Sequence, residues 1–160
     1  MTRMRHAALA ACLLAQGAAA SAPASACELV LLAHRSGTEL KRLPLDAAAP
    51  GVRIAFEHSV LGTTVIDRYR FAPEAHLVEE RFEGQGYGLP HAAGPGESLQ
   101  RDGDGKGNGW RLSLDRLVHP LVVRPMPQQR MRLLLGDREW LLGAFGSQAI
   151  ELQARGCTGS

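Results

Sequence analysis

Between Val52 and Phe82 the chain alternates. Val52, Ile54, Phe56 and His58 share one face of an extended strand, and Arg53, Ala55, Glu57 and Ser59 share the other. Val65, Asp67, Tyr69 and Phe71 then oppose Ile66, Arg68 and Arg70. A period of two excludes an amphipathic helix, whose apolar residues recur every three or four positions. The same short alternation predicts strands at Glu28–His34, Thr38–Leu43, Val52–Ser59, Thr64–Phe71, His76–Phe82 and Trp110–Leu114. It predicts more at Val118–Val123, Arg130–Leu135, Glu139–Gly143 and Ala149–Gln153. Gly, Pro and Asp clusters divide these segments, and none carries a helical stripe. The expected fold is all-β, a single antiparallel sandwich or partly closed barrel of about nine or ten short strands. With 160 residues the chain suffices for one such domain, and 18 glycines with 5% aromatics fit a loop-rich β protein better than a bundle. The Gly-rich stretch from Gly84 to Gly109 is the long irregular connection.

The two ends of the chain point to export. Met1–His6 carries Arg3 and Arg5, Ala7–Ala15 is a short apolar run, and Gly17–Ala26 is a tract of small residues. This is the layout of a secretory signal. The apolar run is too short to span a bilayer, which needs about 20 residues. Residues 1–26 are therefore expected to be a cleaved signal peptide, and 27–160 a single all-β domain in the periplasm. Retention as an uncleaved anchor and lipidation of Cys27 are the alternatives. Past the signal only Cys27 and Cys157 remain, at the extremes of the mature chain. In an oxidising compartment such a pair forms a disulfide, which requires the first and last strands to lie side by side. No Cys-x-x-Cys supports a redox or metal role. Removing Arg3 and Arg5 from the 18 Lys+Arg leaves a basic count equal to the 16 Asp+Glu. A neutral chain without a basic run argues against nucleic acid as a partner.

Chemistry concentrates in the middle hairpins. A two-residue turn at Gly62-Thr63 would pair Ile54 with Phe71, Phe56 with Tyr69 and His58 with Asp67. A following turn at Glu74-Ala75 would pair Tyr69 with Glu80 and set Glu80 diagonal to Asp67. His58, Asp67 and Glu80 are thus expected together on the inward face, as a structural polar group, a ligand or metal site, or a general acid–base centre. The trio lacks the second His of common zinc sites. Ser59 points away from His58 in an extended strand, which argues against a Ser–His nucleophile. Gly84-Gln85-Gly86-Tyr87-Gly88-Leu89-Pro90 lacks the lysine and helix of a phosphate loop, and reads as a turn needing positive φ at Gly86 and Gly88 and ending at Pro90. Leaving the strand of Glu80, it is expected to lie over the polar cluster, with Tyr87 and His91 lining a pocket. Asp102–Gly109 departs from the calcium loop pattern at Lys106 and Ser113 and reads as a polar hairpin loop. Arg130 and Arg132 read as a solvated edge. No cofactor and no metal site is expected.

His58-Ser59-Val60, then Val65 and Asp67, then Glu79-Glu80-x-Phe82, then Gly86-x-Gly88-Leu89-Pro90 stand in this order. The arrangement resembles the DUF1850 family of small exported bacterial proteins, over about Glu28 to Arg155. Thr64 stands where that family has Pro, Asp67 where it has Glu, and Tyr87 where it has Ala. The resemblance implies a neighbourhood of tripartite, binding-protein-dependent (TRAP/TAXI-type) transporters, and no reaction. The expectation is a non-enzymatic periplasmic accessory or binding protein whose partner is a transporter subunit or a small solute. The alternatives are a small periplasmic enzyme, hydrolytic or metal-assisted, using His58, Asp67 and Glu80, and a structural envelope-interaction module.

Overall fold

The computed structural model describes residues 26–84, 86–103 and 108–157. The expected signal lies outside them, apart from Ala26, as do 104–107 of the Gly-rich stretch. Among the described residues eleven strands form two antiparallel sheets. The four-stranded sheet has the order β2 (Thr38–Pro44), β1 (Glu28–Ala33), β11 (Ile150–Arg155), β8 (Leu121–Val123). The seven-stranded sheet runs β10 (Arg138–Leu141), β9 (Arg132–Leu135), β3 (Gly51–Glu57), β4 (Thr64–Phe71), β5 (Ala75–Glu83), β7 (Gly109–Leu117), β6 (Ser98–Arg101). The fold is an all-β sandwich, with no closed barrel among the described residues. Among the described residues no helix is long and apolar enough to cross a membrane.

One apolar core joins the sheets. Leu29, Leu31, Ile150 and Leu152 come from the smaller sheet, and Ile54, Leu112 and Leu133 from the larger. Burial of such side chains is the main favourable term in folding. β1 and β11 lie side by side, with Glu28 opposite Arg155, and Cys27 and Cys157 form a disulfide across them. The expected pairing of the chain ends is therefore present.

The sequence-predicted strands differ from the structure in several places, three of which have a plain local reason. β6 lies inside the stretch expected to be irregular, because a four-residue edge strand is too short to show a period. β8 starts at Leu121 rather than Val118, since Pro120 before it has no N–H to give a ladder. β9 starts at Arg132, because Arg130 closes a single helical turn over Pro127–Gln129 with φ at 45°.

Register differs more. Ile54 faces Asp67, Phe56 faces Val65 and Val52 faces Tyr69. The β3–β4 connection is therefore not the two-residue turn at Gly62-Thr63 but the longer one from His58 to Thr63. It is closed by His58 N–H donating to Thr63 O at 2.8 Å and Gly62 N–H donating to His58 O at 2.9 Å. On the next hairpin Asp67 faces Glu80 directly, and a bulge between Arg68 and Tyr69 then brings Tyr69 opposite Leu77. Gly51 begins β3 where a Cβ would stand 2.7 Å from the Tyr69 carbonyl oxygen, so a side chain there would force the two strands apart.

Candidate functional site

The expected trio separates into two sites. His58 is not beside Asp67. It follows the end of β3 and pairs with Thr63, four residues along the hairpin from the Ile54–Asp67 pair, or about 13 Å at strand rise. Among the described residues no group of three or more His, Cys, Asp and Glu is placed to hold a metal ion. The predicted His–carboxylate contact fails because the turn is centred on Val60-Leu61, two residues earlier than the Gly62-Thr63 reading assumed, which shifts the register by four.

His58 instead builds a tip. Its Nδ1 accepts from the backbone N–H of Val60 and of Leu61, each at 3.3 Å. With Nδ1 accepting, the proton sits on Nε2, which donates to the Tyr87 carbonyl oxygen at 3.2 Å. One imidazole thus folds its own turn and ties it to the Gly86–Pro90 loop. Thr63 adds a second tie, its hydroxyl donating to Glu83 O at 3.3 Å. Gly86 and Gly88 both have φ at 93°, as the sequence predicts, and Tyr87 between them is left-handed at 54°. A left-handed aromatic residue costs roughly 1 kcal/mol or more, and such strain persists where the surroundings impose it. Leu89 turns back to pack on the core. Pro90 is half-buried beside it, whereas His91 is exposed.

Val60 is 62% exposed and Tyr87 72% exposed. Tyr87 and His91 both stand exposed at the surface. The tip presents an apolar side chain and an aromatic one to solvent. The sequence reading missed Val60 as a surface residue. Its signal was an apolar residue lodged in a turn rather than in a strand.

The second site is the carboxyl pair. Asp67 lies on the inward face with Val65, Tyr69 and Phe71, and Glu80 stands directly across from it. Tyr69 Oη donates to Asp67 Oδ2 at 3.3 Å. Asp67 Oδ1 is buried with no hydrogen-bond partner among the described residues. Burial, and then the charge of Glu80, push the Asp67 carboxyl up to about 7, although the Tyr69 hydroxyl pulls the other way. Glu80 is raised by burial, opposed by the Arg116 charge and helped by Glu97. Tyr69 is raised by burial and by both carboxylates. Asp67 is thus a carboxyl that keeps its proton to about neutral pH beside Glu80, and among the described residues no metal-ligand set joins the pair.

Neither curated proteins nor solved structures give a match to this chain. A family model described as a domain of unknown function, DUF1850, matches residues 52–142. That span runs from β3 to β10 and holds both the tip and the carboxyl pair. The chain belongs to the DUF1850 family.

Proposed function

We propose that this chain is an exported, non-enzymatic accessory protein that docks, through the tip of Val60 and Tyr87, onto a subunit of a tripartite, binding-protein-dependent transporter of the TRAP/TAXI type. The observation that carries the reading is the tip itself. Two sequence-distant segments are tied together by His58, and what they jointly display is an exposed Val60 and an exposed, strained Tyr87. An aromatic held rigidly in solvent costs little further ordering when a partner covers it. The transporter partner rests on the neighbourhood implied by the family resemblance. The periplasmic location rests on the signal layout, and a disulfide between the chain ends fits an oxidising compartment.

The test is capture from the native host. The full precursor, tagged at its C-terminus, is cross-linked and its partners identified by mass spectrometry. Transporter subunits should be recovered with the wild-type chain and lost with Val60→Ser combined with Tyr87→Ser, at an unchanged melting temperature. Recovery of the same subunits by both chains, or of no transporter subunit by either, would sink the reading. The same spectra report the mature N-terminus and the state of Cys27.

A further inference from the structure

On the outer face of the seven-stranded sheet, Arg53 stands directly across from Arg68. Like charges opposite one another destabilise a sheet. Arg70 follows two residues beyond Arg68 on the same face, opposite Gly51, which offers no side chain to cover it. Arg53, Arg68 and Arg70 all line one cleft of about 480 Å³, together with Ala47–Pro50, Leu134 and Leu135. Among the described residues no Asp or Glu lines it.

Each guanidinium is only loosely held. Arg53 donates to the Gly136 carbonyl oxygen at 3.4 Å. Arg68 lies 3.5 Å from Glu79, but Glu79 is engaged more closely by Arg81 at 2.8 Å. Arg70 reaches Asp115 at 3.4 Å, while Asp115 is held by His76 at 2.6 Å. Each of these two carboxylates makes its shorter contact through its other oxygen, to Arg81 or to His76. Three planar forks with donors to spare match the oxygens of carboxylate or phosphate groups. The Ala47–Pro50 and leucine walls match a carbon skeleton between those groups. The cleft lies at the end of the β3–β4 hairpin opposite the tip.

We infer that this cleft is a binding site for a small organic polyanion, a compound bearing two or more carboxylate or phosphate groups on a short carbon skeleton. Arg53, Arg68 and Arg70 bind its charges, and the apolar walls contact its skeleton. The site is separate from the docking tip, so the two can be tested independently.

The probe is citrate, titrated into the purified chain by calorimetry at constant ionic strength, with inorganic phosphate and acetate as parallel arms. The site predicts saturable one-to-one citrate binding. Arg53→Gln, Arg68→Gln and Arg70→Gln should each weaken it by about tenfold or more, the scale of a lost hydrogen bond between charged groups. Arg101→Gln, on an arginine stacked over Trp110 at 4.1 Å and outside the cleft, should leave it unchanged. Phosphate should bind more weakly than citrate, and acetate more weakly still. Absence of saturable citrate binding, equal binding of citrate and phosphate, or indifference to all three cleft substitutions would overturn the inference. The melting temperature of each variant separates loss of the site from loss of the fold.

Discussion

Two rows of residues cross the seven-stranded sheet one step apart, and they solve the same electrostatic problem differently. The inner row reads Trp140, Leu133, Ile54, Asp67, Glu80, Leu112, Leu99. The outer row reads Glu139, Leu134, Arg53, Arg68, Glu79, Ser113, Ser98. Glu79 and Glu80 are neighbours in sequence. Glu79 faces outward between Arg68 and Arg81, where charges of both signs meet near water. Glu80 faces inward against Asp67, among apolar neighbours, where a second negative charge is expensive. A carboxyl group therefore has no fixed worth in this protein. The face it takes decides whether it is an ordinary surface charge or a group that holds on to its proton.

The sharpest contrast lies within the inner row. Ile54 is 1% exposed and faces Asp67. Ile54→Ala should lower stability by about 4 kcal/mol, through lost burial and the cavity left behind. Chemical denaturation measures it, and a loss under about 1 kcal/mol would mean the row is not a packed core.

Asp67→Asn should act in the opposite direction, and only above acid pH. An acid raised in the folded state, from 3.8 to about 7, binds more protons there than in the unfolded chain. Its stabilising contribution is present at low pH and is lost as pH rises through that interval. One pKa unit corresponds to about 1.4 kcal/mol, so the stability difference between wild type and Asp67→Asn should change by roughly 3 kcal/mol between pH 4 and pH 8. The variant should be the more stable chain at pH 8. Parallel stability–pH curves for the two chains would contradict the buried, proton-holding role.

The outer row should yield the smallest effect. Glu79→Gln breaks contacts to two arginines that are about half exposed. Pairs of that kind contribute about 1 kcal/mol or less and are screened by salt. A salt-independent loss comparable to that of Ile54→Ala would erase the distinction between the rows.

Which face each residue takes was legible from the alternation. Ile54, Val65, Tyr69, Phe71 and Phe82 are buried as the pattern requires, and Arg53, Arg68 and Arg70 are exposed. Which residue faces which was not legible. The β3–β4 register lies four residues from the one read off a two-residue turn, and the Asp67–Glu80 pairing two residues from its expected place. Both slips are even. A strand repeats its faces every two residues, so an even slip leaves each apolar residue inward and leaves no trace in the pattern. The trio containing His58 failed for that reason, whereas the juxtaposition of Asp67 with Glu80 is closer than the diagonal one expected. The arginines of the outer cleft were visible as one face of a strand. Arg53 met Arg68 only when the register was set, and the wall of Ala47–Pro50 comes from a loop with no alternation to read.

The sequence by itself determined the all-β class, the in-and-out faces of the central strands, the need for glycine at positions 86 and 88, and the pairing of Cys27 with Cys157. These follow from local constraints: the two-residue period, positive φ, and two cysteines at the extremes of residues 27–160. Only the tertiary structure decided that His58 ties a turn to the Tyr87 loop, that Asp67 meets Glu80, and that three arginines share one cleft. Each of those depends on turn length and strand register, which are set by backbone hydrogen bonds that any side-chain sequence of the same parity could have formed.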